Sequence, residues 1–430
     1  PVIDGAGRIV VWDSDAHDVV APGQNPGNSA QVYARNIAPP VGAPMTVLVS
    51  ASPSGQQGDA RSQCAAISGN GRWVAFASLA TNLDPDDNDE IVDIYLRDLD
   101  STTVFRVTER PGGGGFDYNS RSARIDGSGR RVAFTSRATN HSPIVPGLAS
   151  VPRPLDDDDI YLTTPGSGVF EWISIGHNGQ VPDNAARTSS ISRDGRLVAF
   201  SSHASNLLAT PDTNGTADVF LRDLGVVPRT TVPISLNRTG MQLGNGHSTR
   251  PSLSGDGDYV VFQSTADDLV TGDLNGKSDI FVRNLAGPAA GPTVRISVGM
   301  GGVDPDDESS YSTISKDGRH VSFSSLATNL VPSTLGQTKR LHFFHHDRDT
   351  DGNGVFDEPG KTQTRILSVD DLGNLGNGPS GFACSLSDDG RVAPFLSEAS
   401  NLVPGDTNGM GGRCQPACPW GRAVFVRAVP

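Results

Sequence analysis

Short apolar runs recur along the chain, and each follows a polar turn rich in Ser, Asp and Gly. Within the runs apolar and polar positions alternate with a period of two, and the apolar positions carry mainly β-branched or aromatic residues. This alternation is typical of half-buried β-strands, whereas an amphipathic helix repeats its apolar positions every three to four residues. No segment has the helical period, so the pattern predicts an all-β protein built from many short strands.

One repeat unit of this pattern occurs seven times along the chain. Each copy has a short apolar stretch, Ser-x-Asp-Gly-Arg or a variant, and an apolar run that usually ends in Phe; the copy from Ser190 reads SISRDGRLVAFSS. The second glycine of the copies lies at Gly7, Gly71, Gly129, Gly195, Gly257, Gly318 and Gly390. The units span approximately residues 1–50, 62–110, 121–176, 187–236, 249–299, 310–369 and 381–430.

Each unit has room for four strands, which we name a to d. In the fourth unit strand a begins at 190–192, residues 193–195 form a hairpin turn, and strands b, c and d occupy 197–201, 218–222 and 231–235. Seven units of four antiparallel strands predict one domain, a seven-bladed β-propeller over residues 1–430. No strand d is visible after residues 423–427, so we expect an incomplete last blade, either because that blade has three strands or because the chain is truncated.

The apolar b strands carry pairs such as Val74 with Phe76 and Val198 with Phe200. We expect these residues to pack between blades, because a sheet covered on both faces needs large apolar side chains there. After strand b, six copies keep Asn-Leu or a close variant, as in Ala80-Thr81-Asn82-Leu83. The connections that carry this segment should lie at the same end of the blades as the d to a loops.

The repeat resembles that of the TolB-type, WD-repeat-like (PD-repeat) propeller family, in which S-x-D-G-R-x-[IV]-A-F is followed by D-[IV]-[YF]-[LV]. The segments DIYLRD from Asp93 and DIFVRN from Asp279 match the second motif. The resemblance covers nearly the whole chain. It implies a location outside the cytosol (extracellular, cell surface or periplasmic) and a role in binding rather than catalysis. Because propellers host many functions, the role is an analogy.

The composition of the charged residues indicates that most acidic side chains lie in loops. The chain has 42 Asp but 6 Glu, and 30 Arg but 4 Lys, with a net charge of −14. Asp favours turns and metal loops, whereas Glu and Lys are the common helix formers. An acidic chain lacks the basic footprint that nucleic acid or an anionic membrane requires, so cations are the more natural ligands. No apolar membrane-spanning run and no signal-peptide pattern is present, which predicts a mature or trimmed soluble chain.

The sharpest motif is the twelve-residue segment from Asp347 to Glu358. Its acids Asp347, Asp349, Asp351 and Glu358 occupy positions 1, 3, 5 and 12, with Gly352 at position 6 and the Asn353 carbonyl at position 7. Calcium requires six to eight oxygen ligands, and this spacing supplies them on a tight loop. The motif predicts one Ca²⁺ site that stabilises the sixth blade; the alternative is a solvated acidic hairpin.

A weaker pattern precedes strand c in three units. It is similar to the short D-x-[DN]-x-x-x-D calcium loops of other propellers, which normally carry one more carboxylate. The alternative is that Asp and Asn serve only as turn formers. The residues are Asp87, Asp89 and Asp93; Asp212, Asn214 and Asp218; and Asp273, Asn275 and Asp279.

The cysteines and histidines provide weaker signals. Cys414 and Cys418 suggest a disulfide with each other, or of either one with Cys384, because the zinc pattern of two cysteine pairs is absent. Cys64 is expected to be a buried thiol on strand a. His342, His345 and His346 on strand c of the sixth unit could hold a transition metal, but alternation places His345 on the opposite face, which favours ordinary packing.

Two functions remain open. The leading prediction is a calcium-stabilised extracytoplasmic propeller that binds a macromolecular partner, a protein or a surface polysaccharide, through a face built from loops. The rival is a propeller lyase or hydrolase with its site at the central tunnel, which would need His, Glu or Asp on the a strands. Those strands offer mainly Ser, Thr, Ile and Leu, which favours binding. A third possibility is a gating propeller of a larger peptidase.

Overall fold

The computed structural model describes residues 1–16, 19–20, 29–39, 46–140, 157–286, 291–332, 339–406 and 423–429. Over these residues the chain forms seven antiparallel sheets, six of four strands and a last one of three, in which each strand pairs with its neighbours in sequence. The fold is thus a seven-bladed β-propeller with an incomplete last blade, as predicted. Within the described ranges the remaining regular structure consists of two 3₁₀ turns, and no helix is long and apolar enough to cross a membrane.

The structure divides into two compact units, which we describe separately: one spans Val2–Pro233, and the other comprises Ile234–Pro430 together with Pro1. The first unit contains blades 1 to 4, whose strands are β1 (Val2–Ile3), β2 (Ile9–Ser14), β3 (Gln31–Asn36), β4 (Thr46–Leu48), β5 (Ser62–Ile67), β6 (Trp73–Ser78), β7 (Asp93–Asp98), β8 (Val104–Arg106), β9 (Ser120–Ile125), β10 (Val132–Ser136), β11 (Asp159–Thr163), β12 (Phe170–Trp172), β13 (Ala186–Ile191), β14 (Leu197–Ser202), β15 (Asp218–Asp223) and β16 (Thr230–Pro233).

The second unit contains blades 5 to 7. Their strands are β17 (Ser248–Leu253), β18 (Tyr259–Ser264), β19 (Asp279–Asn284), β20 (Thr293–Arg295), β21 (Ser309–Ile314), β22 (His320–Ser325), β23 (His342–Asp347), β24 (Gln363–Ile366), β25 (Ser380–Cys384), β26 (Val392–Ser397) and β27 (Ala423–Ala428). The 3₁₀ turns are His177–Gly179 and Met300–Gly302.

The first strand of a blade is longer than its sequence pattern predicts. In blade 4, β13 begins at Ala186, four residues before the predicted start, and its register against β14 shifts between Ala186 and Ser189. Such a shift is a β-bulge, which moves one residue out of the alternating pattern. The a strands of blades 2, 3, 5, 6 and 7 have similar shifts. The period of two is therefore broken where strand a begins.

The bulge also corrects the expectation for Cys64. This residue lies in β5 at the register shift, has a φ of 56° and is exposed, so it is not a buried core thiol. A bulged residue leaves the pleat, and the alternation that predicted its burial does not apply to it. Ser122 of blade 3, Arg250 of blade 5 and Tyr311 of blade 6 share the positive φ of Cys64.

Large apolar side chains of the b strands pack between blades, as predicted. In β6, Val74 and Phe76 are fully buried against Val11 and Val32 of blade 1. The intervening Ala75 and Ala77 face the other way, in a cluster with residues of blade 3 that include Phe134. The two faces of one strand therefore hold the two neighbouring blades together. In the second unit, Val321 and Phe323 pack in the same way with Ile280 and Val282 of blade 5.

The seven predicted turn glycines occupy equivalent turns between strands a and b. All have φ between 69° and 84°, a region that side chains disfavour. Several are also crowded by the preceding blade: a Cβ at Gly129 would lie 2.2 Å from Trp73, and one at Gly390 would lie 2.4 Å from His320. Glycine at these turns therefore satisfies the backbone conformation, and at Gly129 and Gly390 it also permits the close approach of the preceding blade.

Candidate functional site

The connections from b to c and from d to a lie at the same end of each blade, because successive antiparallel strands reverse direction. We call this the loop end. Its b to c connections include residues 79–92, 203–217 and 265–278, and its d to a connections include 49–61, 107–119, 173–185, 234–247, 296–308 and 367–379. The a to b turns and the c to d connections form the opposite end.

Loops of the loop end are bonded to one another by a repeated arrangement of side chains. Between blades 1 and 2, the Asp59 carboxylate accepts hydrogen bonds from the backbone N–H (2.8 Å) and the hydroxyl (2.9 Å) of Thr81. In return Asn82 accepts a bond from the Asp59 N–H at 3.1 Å and donates one to the Gln57 carbonyl at 2.8 Å. Leu83, next in sequence, is buried below them.

The same arrangement recurs at other blades. Asp117 bonds Thr139 and Asn140, Asp183 bonds Ser205 and Asn206, Asp306 bonds Thr328 and Asn329, and Asn377 bonds Ser400 and Asn401. The recurrent Asn-Leu segment thus anchors each d to a loop to the following b to c loop. These mutual hydrogen bonds order the loops in the unbound protein.

Asp87, Asp89 and Asp93 come together at the loop end of blade 2. They place one carboxylate oxygen each within 4.8 Å of the others. Asp93 starts β7, and its Oδ1 accepts a short hydrogen bond from the Thr108 hydroxyl, while its buried Oδ2 has no hydrogen-bond partner. Asp87 accepts a bond of 2.5 Å from the Tyr95 hydroxyl. Within the described residues this is the one group of three or more acids, histidines or cysteines so arranged.

Burial disfavours the charged form of the carboxylates in this cluster. It raises the pKa of Asp93 to about 7, and the negative charges of Asp87 and Asp89 also raise it. The hydrogen bond from Thr108 and the charge of Arg106 oppose the rise. A cation bound between the carboxylates would favour their ionised form.

Arg106 of β8 is a counter-ion built into this cluster. Its side chain is completely buried, and its Nη1 lies 3.6 Å from both Asp87 Oδ1 and Asp93 Oδ2, while its Nε lies 3.2 Å from Asp84 Oδ2. These contacts to Asp87 and Asp93 are longer than hydrogen bonds, and neither Nε nor Nη1 has a hydrogen-bond partner. One guanidinium thus faces three carboxylates, and it forms a hydrogen bond with none of them.

Blade 5 repeats the arrangement with Arg295 of β20. Its Nη1 lies 3.1 Å from Asp273 and 3.6 Å from Asp279, and its Nη2 lies 2.6 Å from Asp304. Burial and the charge of Asp279 raise the pKa of Asp273 to about 6, and burial raises that of Asp279 as well. Asn275 donates a hydrogen bond of 2.9 Å to Asp279, so it orients a carboxylate.

Blade 4 has the same loop without the arginine. Asn214 donates two hydrogen bonds, one from its side-chain amide to Asp218 Oδ2 at 2.7 Å and one from its backbone N–H to Asp212 Oδ1 at 3.0 Å. Phe220 of β15 faces Pro233 of β16, at the position where Arg106 faces Tyr95 and Arg295 faces Phe281. The three loops therefore share their first and last aspartates, and they differ in the middle residue and in the side chain that strand d supplies.

The Asp347 to Glu358 loop lies at the opposite end, between β23 and β24, and its acids have separate partners. Asp347 forms two bonds of 2.8 Å with Arg319, which help to lower its pKa to about 2 against the effect of burial. Asp349 accepts the backbone N–H groups of Asn353 and Gly354. Asp351 lies 3.2 Å from Lys361, and Glu358 accepts the Asn353 amide at 2.7 Å. The four predicted acidic ligands thus lie on one loop, and each has a hydrogen-bond or ion-pair partner of its own.

The three histidines of β23 are buried, and they divide between two faces as predicted. His342 contacts the Ser368 hydroxyl at 3.1 Å, and His346 contacts that of Thr364 at 2.9 Å. His345 points the other way; its ring centre lies 5.1 Å from that of His320, and neither of its nitrogens has a hydrogen-bond partner. Burial is the main cause that lowers the pKa of His345 to about 3 and those of His342 and His346 to about 4.

The disulfide prediction concerns residues that fall outside the description: Cys414 and Cys418 lie in 407–422, and the side chain of Cys384 is not described. It stays a prediction.

The arginines Arg106 and Arg295 are the site residues that the sequence analysis missed. The signal was present, since strand d reads VFR in blade 2 and TVR in blade 5 but TTVP in blade 4. An arginine at the position of strand d that pairs with Tyr95 or Phe281 of strand c, in blades with an acidic b to c loop, indicates an internal ion pair.

Solved structures with a similar fold include enzymes and TolB proteins. An oligogalacturonate lyase from Vibrio parahaemolyticus has a TM-score of 0.51 and 12% identity, over 100% of this chain and 88% of the lyase. The β-propeller domain of the Trilobed protease from Pyrococcus furiosus has a TM-score of 0.49 and 10% identity, over 93% of this chain and 84% of that domain.

TolB from Acinetobacter baumannii is also similar, with a TM-score of 0.39 and 13% identity, over 76% of this chain and 62% of TolB. No protein-family model matches the sequence, and no curated protein matches it. At these identities the similarity to the lyase concerns the fold alone, and the seven sheets of this chain define it as a seven-bladed β-propeller.

Proposed function

We propose that this chain is an extracytoplasmic binding module whose loop end takes a macromolecular partner, a protein or a surface polysaccharide, and that calcium stabilises it. The observation that carries the proposal is the repeated bonding between d to a and b to c loops, as in Asp59 with Thr81 and Asp306 with Thr328. Loops that are already ordered lose little conformational entropy on binding, which favours affinity. Exposed loops on a rigid scaffold commonly carry function.

Binding is preferred over catalysis because of the side chains on the first strands. As far as the structure describes them, β5, β9, β13, β17 and β21 carry mainly Ser, Ala, Arg, Ile and Thr and no Asp, Glu or His, which leaves Cys64 and Tyr311 as the side chains there that could exchange a proton. A lyase or hydrolase needs a group that accepts or donates a proton at the reacting atom. The fold is common to both kinds of protein, so the choice rests on these residues.

The calcium proposal concerns two main sites and two weaker ones. At Asp87, Asp89 and Asp93 the carboxylate oxygens converge, and the buried Asp93 Oδ2 has no hydrogen-bond partner. At the Asp347 to Glu358 loop a Ca²⁺ would compete with Arg319 and Lys361 for the acids. The Asp212 and Asp273 loops, with two carboxylates each, are proposed as weaker sites. Millimolar extracellular calcium would fill even modest sites, in keeping with an extracytoplasmic location.

Peptide display against the immobilised protein tests the binding role. Selected peptides are measured against three loop-end variants, Ser54→Arg, Thr213→Arg and Leu274→Arg, and two opposite-end variants, Thr102→Arg and Val227→Arg; all five residues are exposed. We expect loss of affinity in at least one loop-end variant, retention in both opposite-end variants, and melting temperatures within about 2 °C of the parent, since exposed substitutions rarely change stability by more than ~0.5 kcal/mol. Loss only in the opposite-end variants would assign binding to that end.

A further inference from the structure

Three exposed apolar side chains lie on two hydrogen-bonded loops at the loop end between blades 5 and 6. Leu274, in the b to c loop of blade 5, is 86% exposed, and Met300 and Val303, in the following d to a loop, are 53% and 54% exposed. The two loops touch, because the Leu274 N–H donates to Asp304 Oδ2 at 3.1 Å. We call Leu274, Met300 and Val303 the apolar patch.

The backbone beneath the patch is fixed. The Gly299 N–H bonds to the Val303 carbonyl at 2.9 Å, and the Met300 N–H bonds to the Asn329 carbonyl at 2.8 Å. Met300 therefore lies in a hydrogen-bonded turn, and its N–H binds this turn to the b to c loop of blade 6. The exposure of these side chains is a property of an ordered surface.

Equivalent loops of the same chain show that the turn does not require apolar residues. The turn after blade 3 has the same bonds, from the Gly176 N–H to the Gln180 carbonyl and from the His177 N–H to the Asn206 carbonyl. It carries His177 and Gln180 where the patch carries Met300 and Val303, and the Asp212 loop carries Thr213 in the position of Leu274. The fold of the turn therefore does not explain why the patch residues are apolar.

The patch is surrounded by acids. The two loops that carry it, 265–279 and 299–308, contain one lysine, Lys277, and the acids Asp267, Asp268, Asp273, Asp279, Asp304, Asp306, Asp307 and Glu308. Arg295 neutralises only part of this charge, since it pairs with Asp273, Asp279 and Asp304. An apolar centre with a charged rim is the usual arrangement of a protein interface.

We propose that the apolar patch binds a segment of another protein that carries apolar side chains beside lysine or arginine. The apolar side chains would cover Leu274, Met300 and Val303, and the basic ones would face Asp267, Asp306 and Glu308, the exposed acids. Methionine suits such a surface because its flexible thioether adapts to different partners. A polysaccharide presents hydroxyl groups, which gain nothing from aliphatic side chains. This inference rests on the proposed function and specifies the partner of the same loop end.

Methyl resonances provide a direct test, because the chain has only four methionines, Met45, Met241, Met300 and Met410. The protein labelled at its methionine methyl groups is titrated with three synthetic peptides of equal length, one alternating Leu and Lys, one alternating Leu and Glu, and one alternating Ser and Lys. We expect the Leu/Lys peptide to shift the Met300 resonance saturably and the other two to leave it unchanged. Equal binding of the Ser/Lys or the Leu/Glu peptide, or no shift with any peptide, would overturn the inference.

Variants taken from the chain's own repeats complete the test. The double variant Leu274→Thr with Val303→Gln keeps Met300 as the reporter. A triple variant adds Met300→His, so that all three patch residues are replaced by the polar residues of the equivalent loops. We expect at least about tenfold weaker binding of the Leu/Lys peptide, equivalent to about 1.4 kcal/mol, with an unchanged melting temperature. Val355→Gln, an exposed apolar residue of the opposite end, is the control and should retain the affinity of the parent.

Peptides from the display selection separate the two proposals. If they bind the loop end but ignore Leu274→Thr with Val303→Gln, the patch inference is wrong and the proposed function stands. If they bind the opposite end, both are wrong.

Discussion

At the scale of single residues, buried charge decides the behaviour of the acidic loops. Asp93 is enclosed by Asp87, Asp89 and a single arginine, and burial raises its pKa to about 7. An unfolded aspartate has a pKa near 3.9. Between these values the native state holds a proton that the unfolded state has lost, so this group's contribution to stability is lost as the pH rises through about 7.

Asp93→Asn should therefore change stability in opposite directions with and without calcium. In chelator at pH 8, the neutral amide removes a buried charge and should raise the melting temperature by a few degrees. With calcium, the parent should gain stability, about 2.7 kcal/mol at a hundredfold excess over Kd, and the variant should gain much less. Thermal melts measure both effects, and Asp100→Asn, at an exposed carboxylate, is the control. A variant with the full calcium response would rule out a site at Asp93.

His345 should make the protein sensitive to acid. Burial lowers its pKa to about 3, against about 6.5 in the unfolded chain, so the native state excludes a proton that the unfolded state binds. The stability that depends on neutral His345 is present above pH 6.5 and is lost as the pH falls toward 3. His345→Phe should flatten the dependence of unfolding free energy on pH in this window by at most about 1.4 kcal/mol per pH unit.

Denaturant titrations at several pH values measure this slope, and the exposed His177→Phe is the matched control. An unchanged slope in His345→Phe would mean that the ring is not held neutral by burial.

At the scale of the elements, the a to b turn combines a backbone requirement with a packing requirement. Gly129 and Gly55 have nearly the same φ, 80° and 83°, but a Cβ would lie 2.2 Å from Trp73 at Gly129 and would meet nothing within 4 Å at Gly55. Gly55→Ala should cost about 1 to 2 kcal/mol, the strain of the left-handed conformation. Gly129→Ala should cost clearly more, because Trp73 and the neighbouring blade must also move.

Urea unfolding of the two alanine variants compares these costs. Equal costs would mean that the turn glycines serve only the backbone conformation.

The strand pattern illustrates what a sequence can predict at this scale. Strands b and c of blade 4 begin where expected, at Leu197 and Asp218, because their alternation is unbroken and their turns carry Gly or Asp. Strand a was placed too late and Cys64 was assigned to the core, because a bulge shifts the period by one residue. The convergence of Asp87, Asp89 and Asp93 was foreseeable from spacing. The entry of Arg106 was not inferred, because it comes from another strand.

At the scale of the whole molecule, repetition produces both the fold and the proposed binding surface. In the described residues, a repeat such as the one with Phe200 supplies a core residue and an a to b turn glycine, and the connection before it supplies an Asp or Asn that holds its b to c loop. Phe200→Ala should lower the unfolding free energy by about 3 to 5 kcal/mol, since Phe200 is fully buried. A loss below about 1 kcal/mol, measured by denaturant titration, would contradict its assignment to the core.

Calcium provides a test on the same scale, because the proposed sites lie at opposite ends of the blades. The parent should melt at a higher temperature in calcium than in chelator, and Asp349→Ala should lose the part of this response that the Asp347 to Glu358 loop contributes. Asp93→Asn should lose the part contributed by blade 2. If chelator leaves the parent unchanged, calcium has no structural role, and the acids are neutralised by Arg106, Arg295, Arg319 and Lys361 alone.

The central claim is that one end of the blades binds a partner through loops that are already ordered. Hydrogen exchange of the protein, alone and with a display-selected peptide, tests it most directly. We predict slow exchange at the N–H groups of Thr81, Ser205 and Thr328 in the free protein, because each bonds an aspartate, and further protection on binding confined to loop-end segments such as 203–217, 265–278 and 296–308. Fast exchange of these amides in the free protein, or protection confined to the opposite end, for example at 99–103 and 127–130, would contradict the account.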